Sequence, residues 1–96
     1  MKYVVIFKAK IQSLDQEYFD TANTLREKAL TKFNCQKFEA ISENGFEIAL
    51  SYWNSLEEIH AWHKDAEHQV AQRLGKQRWY NSFSVEICEV LKSYSK

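Results

Sequence analysis

From Tyr3 to Ile11 the chain reads YVVIFKAKI, apolar at odd and even positions alike as far as Phe7. That is the pattern of a strand covered on both faces. The period then changes. Leu14, Tyr18, Ala22, Leu25, Ala29 and Phe33 recur at steps of three and four, which predicts an amphipathic helix. Ser13 stands where an N-cap is needed, and Gln16 three residues on completes a capping box. Asp15, Glu17 and Asp20 near its start, with Lys28 and Lys32 near its end, suit the helix dipole. Period two returns over residues 35–42 and 46–53, on either side of Asn44-Gly45, a dipeptide that favours a tight hairpin turn. In the second arm Phe46, Ile48, Leu50 and Tyr52 share one face. Glu47, Ala49, Ser51 and Trp53 share the other, which sets Trp53 apart from the main apolar row.

Ser55-Leu56-Glu57-Glu58 is a second capping box, opening a short helix that carries Leu56, Ile59 and Trp62. Asp65 reads as a fresh N-cap that breaks or bends this helix before a further piece over 66–74, with Gly75 at its C′ position. Phe83, Val85 and Ile87 alternate in a last strand, with Cys88 and Val90 on its opposite face and residues 93–96 as a frayed tail. The order β-α-β-β-α-β predicts an α+β fold, a ferredoxin-like split βαβ with helices on one face of an antiparallel sheet. The other face is left bare, yet the first strand is apolar on both sides. A second copy of the sheet is the simplest cover, so a homodimer is expected.

Ninety-six residues make a single domain, 1–96. No apolar run approaches the roughly 20 residues that span a bilayer, and the start shows no secretory signal, so a cytoplasmic protein without membrane attachment is expected. Thirteen basic and thirteen acidic residues balance, which gives no support to a nucleic-acid partner. Cys35 and Cys88 lack CxxC or metal-ligand spacing and read as reduced buried thiols in strands. An aromatic share of 15% is high for so short a chain, and suggests rings that pack against a partner or a ligand.

The chemistry concentrates in residues 61–80, which hold two of three tryptophans, two of three histidines and two of three arginines. On a wheel of the 66–75 piece, Ala66, Val70, Ala71 and Leu74 cluster on one side, while His68, Gln72 and Gly75 form a strip on the other. The plain reading of His68 is an exposed residue paired with Asp65. The sharper one is a pocket base, since imidazole exchanges protons near neutrality. His60, His63 and His68 point too widely for a metal site, and no metal is expected. Trp53, Trp62, Trp79 and Tyr80 serve equally as core or as pocket walls, and Arg73 and Arg78 as stacking partners or solvated charges. There is no phosphate loop and no nucleophile motif.

Trp53-x-Ser55-x-x-x-Ile59-x-x-Trp62, followed by Asp65-Ala66-Glu67-His68-x-x-Ala71-Gln72-x-x-Gly75-x-x-x-Trp79-Tyr80, resembles the antibiotic biosynthesis monooxygenase (ABM) family of dimeric α+β barrels over essentially the whole chain. The resemblance implies a ferredoxin-like protomer whose sheet pairs with a second subunit's, and a pocket between sheet and helices. It also implies oxygenation of a small hydroxyaromatic or quinol by O₂ with no metal, flavin or haem. Under it His68 is the catalytic base, Gln72 or Arg73 a donor, and Trp53, Trp62, Trp79 and Tyr80 substrate-binding. A non-catalytic small-molecule-binding dimer is the alternative. A third reading follows the superfamily's haem-degrading branch. Trp62 matches that branch's helix tryptophan, but Gln72 falls at the position of its iron-ligating histidine and Phe7 at or near that of its asparagine.

Overall fold

The computed structural model describes residues 1–12, 15–72 and 79–96, with 69–72 as helix backbone only. The elements are β1 (Tyr3–Ile11), α1 (Gln16–Lys32), β2 (Lys37–Glu43), β3 (Phe46–Trp53), α2 (Leu56–Gln72) and β4 (Tyr80–Glu89). The strands form one sheet in the order β2-β3-β1-β4, every neighbour antiparallel. This is the expected ferredoxin-like α+β arrangement. Among the described residues no helix is long and apolar enough to cross a membrane.

Register fixes the two faces. Val5 lies opposite Ser51 and Ile87, Phe7 opposite Ala49 and Val85, and Ala9 opposite Glu47 and Phe83. Opposed residues share a face, and this is the face the helices cover. The core gathers at one end of it, where Val5, Ala29, Cys35, Trp53, Ile59 and Trp62 pack together, with Tyr3, Leu25, Phe33 and Phe38 against them. Trp53 is fully buried and donates its indole N–H to Ser51 Oγ at 2.8 Å. Trp62 donates its own to the Leu25 carbonyl at 3.0 Å and so fastens α2 to α1.

Four local expectations need correction. The N-cap of α1 is Asp15, whose carboxylate accepts from the Tyr18 N–H at 2.8 Å; Ser13 lies outside the described residues. Asp65 does not break the second helix, because α2 runs straight through it. Its carboxylate is held instead by Lys28 of α1 at 3.4 Å, which removes the competition with backbone amides that makes Asp a helix stopper. Cys35 precedes β2 rather than lying in it, and the last strand begins at Tyr80. Gly75 lies outside the described residues. The hairpin turn is as read, with Asn44 and Gly45 both at positive φ, 51° and 80°.

Candidate functional site

Between the helix-covered sheet face and the helices lies a cleft of about 540 Å³, within the roughly 300–1,000 Å³ usual for small-molecule sites. Register explains why it is hollow. Ala40 pairs with Ala49, which lies beside Phe7, and Ser42 pairs with Glu47. Small side chains thus occupy the middle of the floor, and the roof above contributes Ala22 and Ala66. Aromatic rings close the sides. Phe7, Tyr80 and Phe83 stand 5.6 to 6.1 Å apart, with Tyr18 6.2 Å from Tyr80. Phe38 meets Trp62 edge-on at 6.1 Å at the other end.

One histidine lines this cleft, and it is His63. Its ring lies 5.2 Å from that of Trp62. Burial pulls its pKa below the usual value; nearby Glu67 opposes the shift and His60 adds to it. The imidazole is therefore neutral at pH 7, an acceptor ready for a proton. His68 is exposed and faces a separate shallow hollow with Ala61, Lys64 and Asp65. The expectation that it lines the cavity fails for a geometrical reason. In an unbroken helix five residues turn about 140°, so when Trp62, His63 and Ala66 face inward, His68 faces out.

Of the expected walls, Trp62, Trp79 and Tyr80 line the cleft. Trp53 does not; it backs Trp62 from within the core, ring to ring at 5.4 Å. Gln72 ends α2 with its side chain outside the described residues, and Arg73 lies outside them altogether. Trp79 is buried and donates its indole N–H to Asp15 at 3.1 Å, so the carboxylate that caps α1 also holds this wall. Two lining groups gave little signal in the sequence. Glu47 is half-buried, and burial raises its carboxyl pKa. Thr21 is 2% exposed and its hydroxyl has no hydrogen-bond partner among the described residues. Only their place on inward-facing strand and helix positions could have found them.

No family model matches the chain. The Bacillus subtilis protein YqjZ, which is uncharacterised, is 33% identical over 89 residues, covering 92% of this chain and 78% of YqjZ. The chain belongs to the YqjZ family. Among solved structures, this YqjZ-family fold is similar to SnoaB, a cofactor-independent oxygenase from Streptomyces nogalater, with TM-score 0.78, 4% identity and coverage of 99% and 98% of the two chains. A Chloroflexus aurantiacus protein assigned to the antibiotic biosynthesis monooxygenases gives TM-score 0.61, 12% identity and coverage of 99% and 98%. A dimeric ferredoxin-like protein from an uncultured marine organism gives 0.69, 7% identity and full coverage of both chains. At these identities the likeness is one of fold: the YqjZ-family chain has the ABM-type architecture.

Proposed function

We propose that this YqjZ-family chain is a cofactor-independent monooxygenase acting on a small hydroxyaromatic or quinol in the cleft, with His63 as the base. The observation that carries the reading is a neutral imidazole beside Trp62 in a cleft walled mostly by aromatic and small side chains, with Arg26, Glu47 and Glu67 also on its lining. His63 takes the proton of an acidic ring hydroxyl, and the electron-rich anion passes an electron to O₂. Recombination at the ring carbon gives a hydroperoxide, and loss of water leaves a carbonyl. In sum a CH₂ group and O₂ become C=O and H₂O, one oxygen atom going to each product. SnoaB's cofactor-independent oxygenase activity and its shared fold add to this reading. The same proposal includes a homodimer, supported by the row of Phe46, Ile48, Leu50 and Tyr52 that turns away from the helices beside Val4 and Ile6. It also includes a cytoplasmic setting, supported by the free thiols of Cys35 and Cys88.

Oxygen uptake with an anthrone or hydroxynaphthoquinol tests it. His63→Ala should lower kcat on the order of a hundredfold, whereas His68→Ala should leave it unchanged. Because the His63 pKa is depressed, wild-type activity should hold as pH falls past 6.5 and drop only below that lower pKa. Equal rates in His63→Ala and wild type would remove the catalytic assignment. One observation favours a non-catalytic binder instead: Phe83 and Val85 on the cleft wall are 47% and 44% exposed in the single chain, so the site of one protomer is not dry.

A further inference from the structure

We propose that Glu47 and Tyr80 form a second polar anchor at the end of the cleft remote from His63, and that they grip a hydroxyl at the far end of an elongated diphenolic ligand. The inference rests on the small-molecule cleft described above and adds which molecules it takes.

The backbone goes out of its way to bring Tyr80 there. Tyr80 and Phe83 are three residues apart, an odd number, so a regular strand would aim them at opposite faces. The register of β4 against β1 shifts between Lys10 and Ile11, so that Lys10 faces Ser82 and Ile11 faces Tyr80, with Asn81 as the extra residue. This bulge turns the Tyr80 ring onto the cleft face, 5.9 Å from Phe83 and 5.6 Å from Phe7. Re-aiming a side chain at a site is what bulges commonly do. Burial and the nearby Glu47 charge push the phenol up to about 12, so it stays a neutral O–H donor at every physiological pH.

Glu47 occupies an inward position of β3, in the row of Ser42 and Ala9. The fold gives no reason for an acid here, because an apolar residue would serve the packing at lower desolvation cost. A carboxylate acceptor and a phenol donor that line one cleft and feel each other's charge match one hydroxyl, which donates to the first and accepts from the second. The third group is the Thr21 hydroxyl. A buried polar atom without a partner costs about 1–3 kcal/mol, and a ligand acceptor satisfies it. Thr21 sits one turn after Tyr18, which meets Tyr80, and one turn before Leu25, which meets Trp62, so it overlooks the middle of the cleft.

The spacing sets the ligand's length. Glu47 and the Ser51 row under Trp62 and His63 are four residues apart on β3, roughly 13 Å, and Tyr18 to Leu25 spans roughly 10 Å of α1. One ring cannot reach both ends. Two rings joined through a carbonyl can, with a hydroxyl at each end and the carbonyl under Thr21.

Calorimetric titration with 4,4′-dihydroxybenzophenone and with 4-hydroxybenzophenone, which lacks one terminal hydroxyl, tests the anchor. Wild type should bind the diphenol about tenfold more tightly, the worth of a hydrogen bond to a charged group. Glu47→Leu and Tyr80→Phe should bring that ratio close to one. Thr21→Val should weaken both ligands alike. Thermal melts establish that each variant is folded. A wild-type ratio of one, or a ratio that survives Glu47→Leu, overturns the anchor and leaves the cleft standing. Failure of wild type to bind either ligand overturns both.

Discussion

Glu47 shows how a single residue can be placed against the interest of the fold. Its carboxyl pKa is raised in the native state by burial, so the folded protein binds a proton more readily than the unfolded chain. Such a group favours folding below its unfolded value and loses that contribution as pH rises through the folded one. Ionised Glu47 therefore weighs against stability at neutral pH. Glu47→Gln should melt at a higher temperature than wild type at pH 7–8, and the gap should narrow as pH falls through the raised folded value and be gone below about 4.5, where the wild-type carboxyl is neutral in both states. Calorimetric melts across that range check it. His63 runs the other way. Its depressed pKa means that the unfolded chain takes up protons first, so stability falls as pH drops below the unfolded value near 6.5. The sequence could not rank these two residues above their neighbours. Glu47 sits in the less apolar row of its strand, and which row faces the helices is decided by register with β1 and by helix docking, neither of which is local.

Among the elements, the first helix and the hairpin were legible because their signals are local: a step of three and four over twenty residues, and Asn-Gly between two arms. The ends were less so. Asp15 rather than Ser13 caps α1, and the same oxygen receives the Tyr18 N–H and the Trp79 indole. A partner 64 residues away is invisible to a capping rule. Asp15→Ala should cost about 2 kcal/mol, the loss of a cap near 1 kcal/mol together with an indole N–H left buried and unsatisfied. Asp15→Asn should recover most of it, as denaturant titration would show. The continuity of α2 was missed for a kindred reason. Asp65 has the composition of a cap, and the lysine that makes it tolerable inside a helix belongs to α1. His68 was expected in the pocket through the strip it shares with Gln72, but along the continuous helix it is His63 that reaches the cleft. The turn after α1 was also legible in principle, since Asn34 follows the last periodic residue and takes a positive φ of 64°.

For the whole molecule, assembly turns on the sheet face away from the helices. Ile41, Phe46 and Ile48 are exposed on it at 65%, 54% and 41%, and register sets Val4, Ile6 and Leu50 alongside. Sedimentation should find twice the 11.4 kDa chain mass at micromolar concentration, and Ile48→Glu should return the monomer. A wild-type monomer would mean that this face has some other cover. The fold as a whole was readable because element order and turn chemistry restrict it to few topologies. The hollow was expected only through the family resemblance, because it arises from small residues on separate strands meeting across the sheet. Trp62 holds the Leu25 carbonyl and Lys28 holds Asp65, two clamps one turn apart on α1 and joined to one side of α2. Sliding one helix along the other would have to break both together. The roof is thus a stiff plate, and whatever widening admits a guest must come from rocking that plate as a unit over the strands beneath.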